Sequence, residues 1–283
     1  MVVRAINDRD LHRITRQCAR RRKASKTSAY DHHARGALAV HAPPFIRFLA
    51  VASVSKTFAQ DLCPDAVDRT QLIFTERWKL WLQLTLGYVF LEAALWTPPG
   101  PVDVFWMLLT AVTVLFFAFD GRYSRGEMGL GVPRFVAIKW IVGLGLLAAM
   151  LLPLIATLTG ANASPTHVLP LRTALQYTVW AFVQQFILQS FFYVRLETLL
   201  GSRKAVFATT ALFALAHLPN LILTFVTVFA GLFFCEMFRR YRPVFLLGAI
   251  HAALGLMMAA SFSDSLLHHM RVGIGYFLLS KPI

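Results

Sequence analysis

Four apolar stretches of this 283-residue chain carry polar side chains able to take up a proton or to hydrogen-bond. Gln184, Gln185 and Gln189 lie on one of them, His217 and His251 on two later ones, and Glu92 on the earliest. Polar groups are costly in hydrocarbon, so such residues are functional candidates by default. Gln185 and Gln189 are four apart and share a helix face, with Gln184 one step round. A neutral imidazole suits the role of a base near pH 7, whereas an amide only donates and accepts hydrogen bonds. Glu92 has no cationic neighbour within a helical turn, which would suit a general base, although Trp96 beside it also fits a hydrated carboxylate at the outer interface. Glu236 precedes Arg239 and Arg240 by three and four residues, the spacing of an ordinary helical ion pair. The competing reading of the glutamines and histidines is structural: they would hydrogen-bond between helices, for about 0.6 kcal/mol each.

The elements that would position these groups are membrane helices. Apolar residues make up 57% of the chain and charged residues only 15%, where a soluble domain carries nearer a quarter charged. A spanning helix needs about 20 predominantly apolar residues, and stretches of that kind fall near 79–97, 102–119, 135–157, 172–199, 204–218, 221–238 and 244–262. The expected fold is therefore all-α, a polytopic transmembrane bundle of about seven spanning helices. A last apolar stretch, Leu266 to Ser280, holds His268, His269 and Arg271 and is expected to lie at the interface as a C-terminal helix. Counting about 1.5 Å of rise per residue from the inner end puts Gln184, His217 and Glu92 at roughly 20 Å, Gln189 near 15 Å and His251 near 10 Å. His217 and His251 should then approach each other and the Gln184–Gln185 pair.

The chain divides into a basic tail, residues 1–75, and a transmembrane domain, residues 76–283. Of 28 Lys and Arg, 15 lie in the first 79 residues. The tail is expected to be largely disordered and cytoplasmic. Leu11, Ile14 and Cys18 at helical spacing among arginines also fit a surface-lying basic helix, and a start codon assigned too early would give a non-native segment. The charge of +14 matches anionic lipid rather than nucleic acid. With the tail inside, loops 97–103 and 158–171 should be external, and neither holds Lys or Arg. The stretches with Arg122, Arg125 and Arg134, with Arg203 and Lys204, and with Arg239, Arg240 and Arg242 should be internal. Cys18, Cys63 and Cys235 are too scattered for a disulfide framework or a zinc spacing.

Within about residues 172–260 the sequence resembles the CPBP family of intramembrane proteases, also called the CAAX-prenyl-protease or Abi type. That family carries Glu-Glu-x-x-x-Arg on one helix, Phe-x-x-x-His on the next and His-x-x-x-Asn (or Asp) on a later one. Phe213-Ala-Leu-Ala-His217 fits the second motif, and the run from Gly231-Leu232 through Arg239-Arg240 to Ile250-His251-Ala252 leads into the third. Gln184 and Gln185 stand where the family has its two glutamates, Gln189 where it has arginine, and Gly255 where it has asparagine. In the family a glutamate is thought to activate water while the histidines and asparagine position it.

The resemblance implies an endopeptidase of the bacterial inner membrane, acting on a membrane-associated or hydrophobic polypeptide. Its catalytic candidates are His217, His251, Gln184 and Gln185, with Gln189 and Phe213 in support and Glu92 as a substitute carboxylate. The alternative is a pseudoprotease that binds a membrane client as an adaptor, and a third reading is a small transporter. No cofactor is expected. If a metal bound it would use His217 and His251, but two neutral ligands fall short of the three protein ligands of a catalytic zinc site.

Overall fold

The computed structural model describes residues 64–133, 135–163 and 170–278, and among them every regular element is helical. In chain order these are α1 (Pro64–Trp96), α2 (Pro101–Ala118), α3 (Phe135–Thr159), α4 (Leu171–Gln185), a π-helical segment (Phe186–Tyr193) and α5 (Val194–Leu200). Then follow α6 (Ser202–Leu215), α7 (Leu221–Tyr241), α8 (Val244–Ser261) and two short helices, α9 (Asp264–Leu267) and α10 (Ile274–Leu278). The expectations for the basic tail up to residue 63 lie outside the described residues. By compact units the chain divides into residues 1–79 and 80–283, and the site described below lies wholly in the second.

Local chemistry explains the helix boundaries. α2 starts at Pro101, a residue suited to the first helical position, with Asp103 in its first turn to complement the helix dipole. The Asn220 side chain accepts a hydrogen bond from the Leu223 N–H and so caps α7, whose last turn carries Arg239 and Arg240. The chain leaves α7 through Arg242 in the left-handed region, φ 55°. Glu236 pairs with Arg239 at 2.7 Å and with Arg240 at 2.5 Å, the ion pair expected from their spacing.

α2, α3, α7 and α8 are long and apolar enough to cross a membrane. The other three expected spans are helical too, but differ from a plain spanning helix. α6 has only 14 residues, α4 has 15 before the π-helical segment interrupts it, and α1 carries Gln83 and Glu92 within its apolar part. Large side chains such as Phe116, Leu158 and Phe225 are exposed on the outward faces, as lipid-facing positions would be.

α8 packs chiefly against α4 and α3, and α6 against α7. The α4–α8 contact is close because α8 presents glycines to bulky α4 side chains. A Cβ at Gly248 would lie 2.6 Å from the Phe182 ring, and one at Gly255 only 1.8 Å from the Tyr177 hydroxyl. Small residues let helix backbones approach in this way.

The C-terminal stretch differs from expectation. Instead of one interfacial helix it forms α9, a 3₁₀ turn over His268–Met270, and α10. His268, His269 and Met270 take left-handed backbone angles (φ 48°, 52° and 56°), which no continuous right-handed helix can contain. Tertiary contacts hold this broken segment in place. Asn220 Nδ2 donates to the carbonyls of Leu267 (2.8 Å) and Arg271 (3.3 Å), and the Gly273 N–H donates to the Leu218 carbonyl at 2.7 Å.

A second buried anchor is Arg195, which is fully enclosed. Its Nε donates to Gln83 Oε1 on α1 (2.9 Å), Nη1 to the Phe191 carbonyl (3.0 Å), and Nη2 to the Phe117 carbonyl in the last turn of α2 (2.5 Å). The guanidinium also lies 4.2 Å from the Phe191 ring centre, a cation–π contact. Five donors in a planar fork let one side chain tie α1, α2 and α5 together.

Candidate functional site: a buried histidine and glutamine cluster

The helix that carries the glutamines changes its winding at that point. Immediately after Gln185 the chain passes into the π-helical segment, which closes with the Val194 N–H donating to the Gln189 carbonyl five residues back. Single π-helical turns occur frequently at functional sites. Gln185, Gln189 and Ser190 are all fully buried. Ser190 Oγ donates to the Met128 carbonyl at 2.7 Å, fixing this segment to the loop between α2 and α3.

Gln185 Nε2 meets His251 Nδ1 at 3.1 Å, and Gln185 Oε1 accepts from Gln189 Nε2 at 3.4 Å. Gln189 Nε2 also approaches Cys235 Sγ at 3.7 Å. A buried chain of side chains thus runs from the α7 thiol through two amides to the α8 imidazole. The amide nitrogen of Gln185 can only donate, so His251 Nδ1 is the accepting nitrogen, and the neutral ring carries its proton on Nε2.

His217 has the opposite arrangement. It lies in the turn that follows α6, and its Nδ1 meets the Phe213 carbonyl at 2.6 Å. That carbonyl belongs to the last turn of α6, where no intrahelical partner is left for it. A carbonyl can only accept, so His217 Nδ1 holds the proton and Nε2 is bare. The pair therefore offers one basic nitrogen, on His217, and one N–H donor, on His251. Both rings flank Phe213, with centroid distances of 4.8 Å to His217 and 5.8 Å to His251. Their separation cannot exceed those two distances laid end to end.

Both histidines line an open cavity of about 770 Å³, together with Gln184 and Tyr177. Its remaining wall is largely apolar, and includes Phe229, Phe233 and Phe234 from α7. Asp264 is the one acidic side chain among the described residues that line it, and its carboxylate meets His269 Nδ1 at 3.1 Å.

The structure thus brings His217, His251, Phe213, Gln184, Gln185 and Gln189 to one region. It does not bring Glu92 there. Glu92 is half-buried, accepts from Trp96 Nε1 at 3.1 Å, and is not among the residues lining the cavity. Sequence reasoning passed over Tyr177, Cys235, Arg195 and Asn220. Tyr177 precedes Gln184 by seven residues, two helical turns on the same face, and that spacing could have found it. Arg195 is a charge inside an expected span, which is itself a signal. Among the described residues no group of three or more His, Cys, Asp or Glu side chains converges as a metal site.

Comparison with known proteins fits this arrangement. Residues 166–257 match the family model described as "Type II CAAX prenyl endopeptidase Rce1-like", about a third of the chain. No curated protein and no solved structure gives a match. The matched segment contains α4 through most of α8, and with them both histidines and all three glutamines. Over residues 166–257 this integral membrane protein is similar to the type II CAAX prenyl endopeptidases, and the CPBP resemblance read from its motifs holds there.

Proposed function

We propose that the protein is an intramembrane endopeptidase that hydrolyses a membrane-associated or hydrophobic polypeptide, with His217 as its base in place of the motif glutamates. The observation that carries this reading is that each histidine hydrogen-bonds through Nδ1, His217 to the Phe213 carbonyl and His251 to the Gln185 side-chain amide, which leaves both Nε2 atoms without a protein partner among the described residues. His217 Nε2 is free to take a proton from water. The resulting hydroxide adds to the peptide carbonyl carbon, the C–N bond breaks, and the departing amine takes the proton back from His217. His251 Nε2–H donates a hydrogen bond to the carbonyl oxygen as negative charge develops on it. Gln185 and Gln189 act by holding His251 in that tautomer. The apolar wall of the cavity suits a substrate segment drawn from the bilayer.

A direct test is to incubate the purified protein in lipid nanodiscs with a library of apolar peptides and follow cleavage by mass spectrometry. Wild type should cut a subset of sequences, and His217→Ala should cut the same sequences at least about a hundredfold more slowly.

A second reading, a pseudoprotease that binds its client without cleavage, is favoured by one observation: among the described residues the buried cluster has no carboxylate. Stable binding of library peptides by wild type with no products would establish it over the first.

The proposed orientation places the tail and the basic loops in the cytoplasm, on the alternation of charged and uncharged loops. In a cysteine-depleted background, a cysteine at position 162 should react with an impermeant maleimide added from outside, and one at 202 should not. The reverse pattern would invert the topology.

A further inference from the structure

Gly255 on α8 leaves a notch, and the Tyr177 side chain of α4 fills it. A Cβ on Gly255 would fall 1.8 Å from the Tyr177 hydroxyl oxygen and 2.3 Å from the ring carbon that bears it. Any larger residue at 255 would therefore displace the phenol. The ring meets His251 edge-on, with centroids 6.5 Å apart and planes at 84°. Tyr177 also lines the same cavity wall as His217, His251 and Gln184. Its hydroxyl has no hydrogen-bond partner among the described residues. A Tyr hydroxyl in buried surroundings usually finds one, so this donor is left available to whatever enters the cavity.

We propose that Tyr177 is a ligand-facing hydrogen-bond donor of the cavity, directed at a backbone carbonyl of a bound apolar polypeptide. This rests on the reading of the cavity as a polypeptide site. Tyr177 then supplies a second donor beside His251 Nε2–H, while His217 supplies the base. The notch at Gly255 serves to admit the phenol to a position that a side chain on α8 would otherwise occupy. The rest of the wall is mostly hydrocarbon, so few other donors face a bound chain there.

The test uses Tyr177→Phe, which keeps the ring in the notch and its edge contact with His251 but removes the hydroxyl. Binding is measured in full-length protein in nanodiscs, in a His217→Ala background so that no cutting intervenes. Two probes are compared: a dansyl-labelled decapeptide of leucine and alanine, and a dansyl-labelled tetradecyl chain that has no amide. Loss of one neutral hydrogen bond is worth about 1 kcal/mol, so the peptide Kd should rise about fivefold, while the Kd of the alkyl probe stays unchanged. An unchanged peptide Kd, or an equal weakening of both probes, would overturn the assignment and leave Tyr177 as packing. If wild type binds the peptide but cuts no member of the library, the protease reading fails, and the donor assignment stands or falls on the binding comparison. If the peptide does not bind at all, both readings fail.

Discussion

His217→Ala should lower kcat for peptide cleavage by about 10²–10⁴-fold, the usual contribution of a positioned general base. KM should move little, because the base acts on water rather than on the bound chain. The substitution also removes the partner of the Phe213 carbonyl, which costs about 1 kcal/mol, so the variant should remain folded. Steady-state kinetics on a cleaved library peptide, with thermal denaturation of the same preparation, would separate the two effects. A variant that kept more than a tenth of wild-type kcat would remove His217 from the role of base.

Arg195→Ala should produce the largest loss of stability of any single substitution considered. It removes the three donors that serve Gln83, Phe191 and Phe117, and it empties a fully enclosed volume. The combined cost of stranded acceptors and lost packing is about 3 kcal/mol. Arg195→Met refills much of the space but restores no donor, and should recover part of the loss. Arg195→Lys keeps the charge without the planar fork and should also fall short of wild type. Unfolding in detergent, followed by tryptophan fluorescence, measures all three. An alanine variant within 0.5 kcal/mol of wild type would show that Arg195 does not bind α1, α2 and α5 together.

Much of the bundle was legible because hydrocarbon imposes a strong pattern on sequence. The expected spans 102–119, 135–157 and 244–262 agree closely with α2, α3 and α8. The cluster was partly legible for the same reason, since His217, His251 and the glutamines are conspicuous in apolar surroundings. Other features depend on tertiary contacts that no local pattern encodes. The π-helical segment from Phe186 to Tyr193 holds no Gly or Pro that would mark a change of winding. The fit of Tyr177 into the space over Gly255 joins residues far apart in the chain. The left-handed run at His268–Met270 is fixed by Asn220, whose partner carbonyls lie 47 and 51 residues further along the chain. The His251 contact likewise depends on a partner from another helix, whereas His217 bonds the Phe213 carbonyl one turn back in its own chain segment.

Cleavage of a library peptide in water enriched with oxygen-18 is the most direct measurement of the central claim. If His217 activates water for attack on a peptide carbonyl, wild type should release a fragment with one heavy oxygen in its new carboxyl group, and His217→Ala should release it at least about a hundredfold more slowly. Fragments without the label, or labelled fragments formed as fast by His217→Ala as by wild type, would contradict the account.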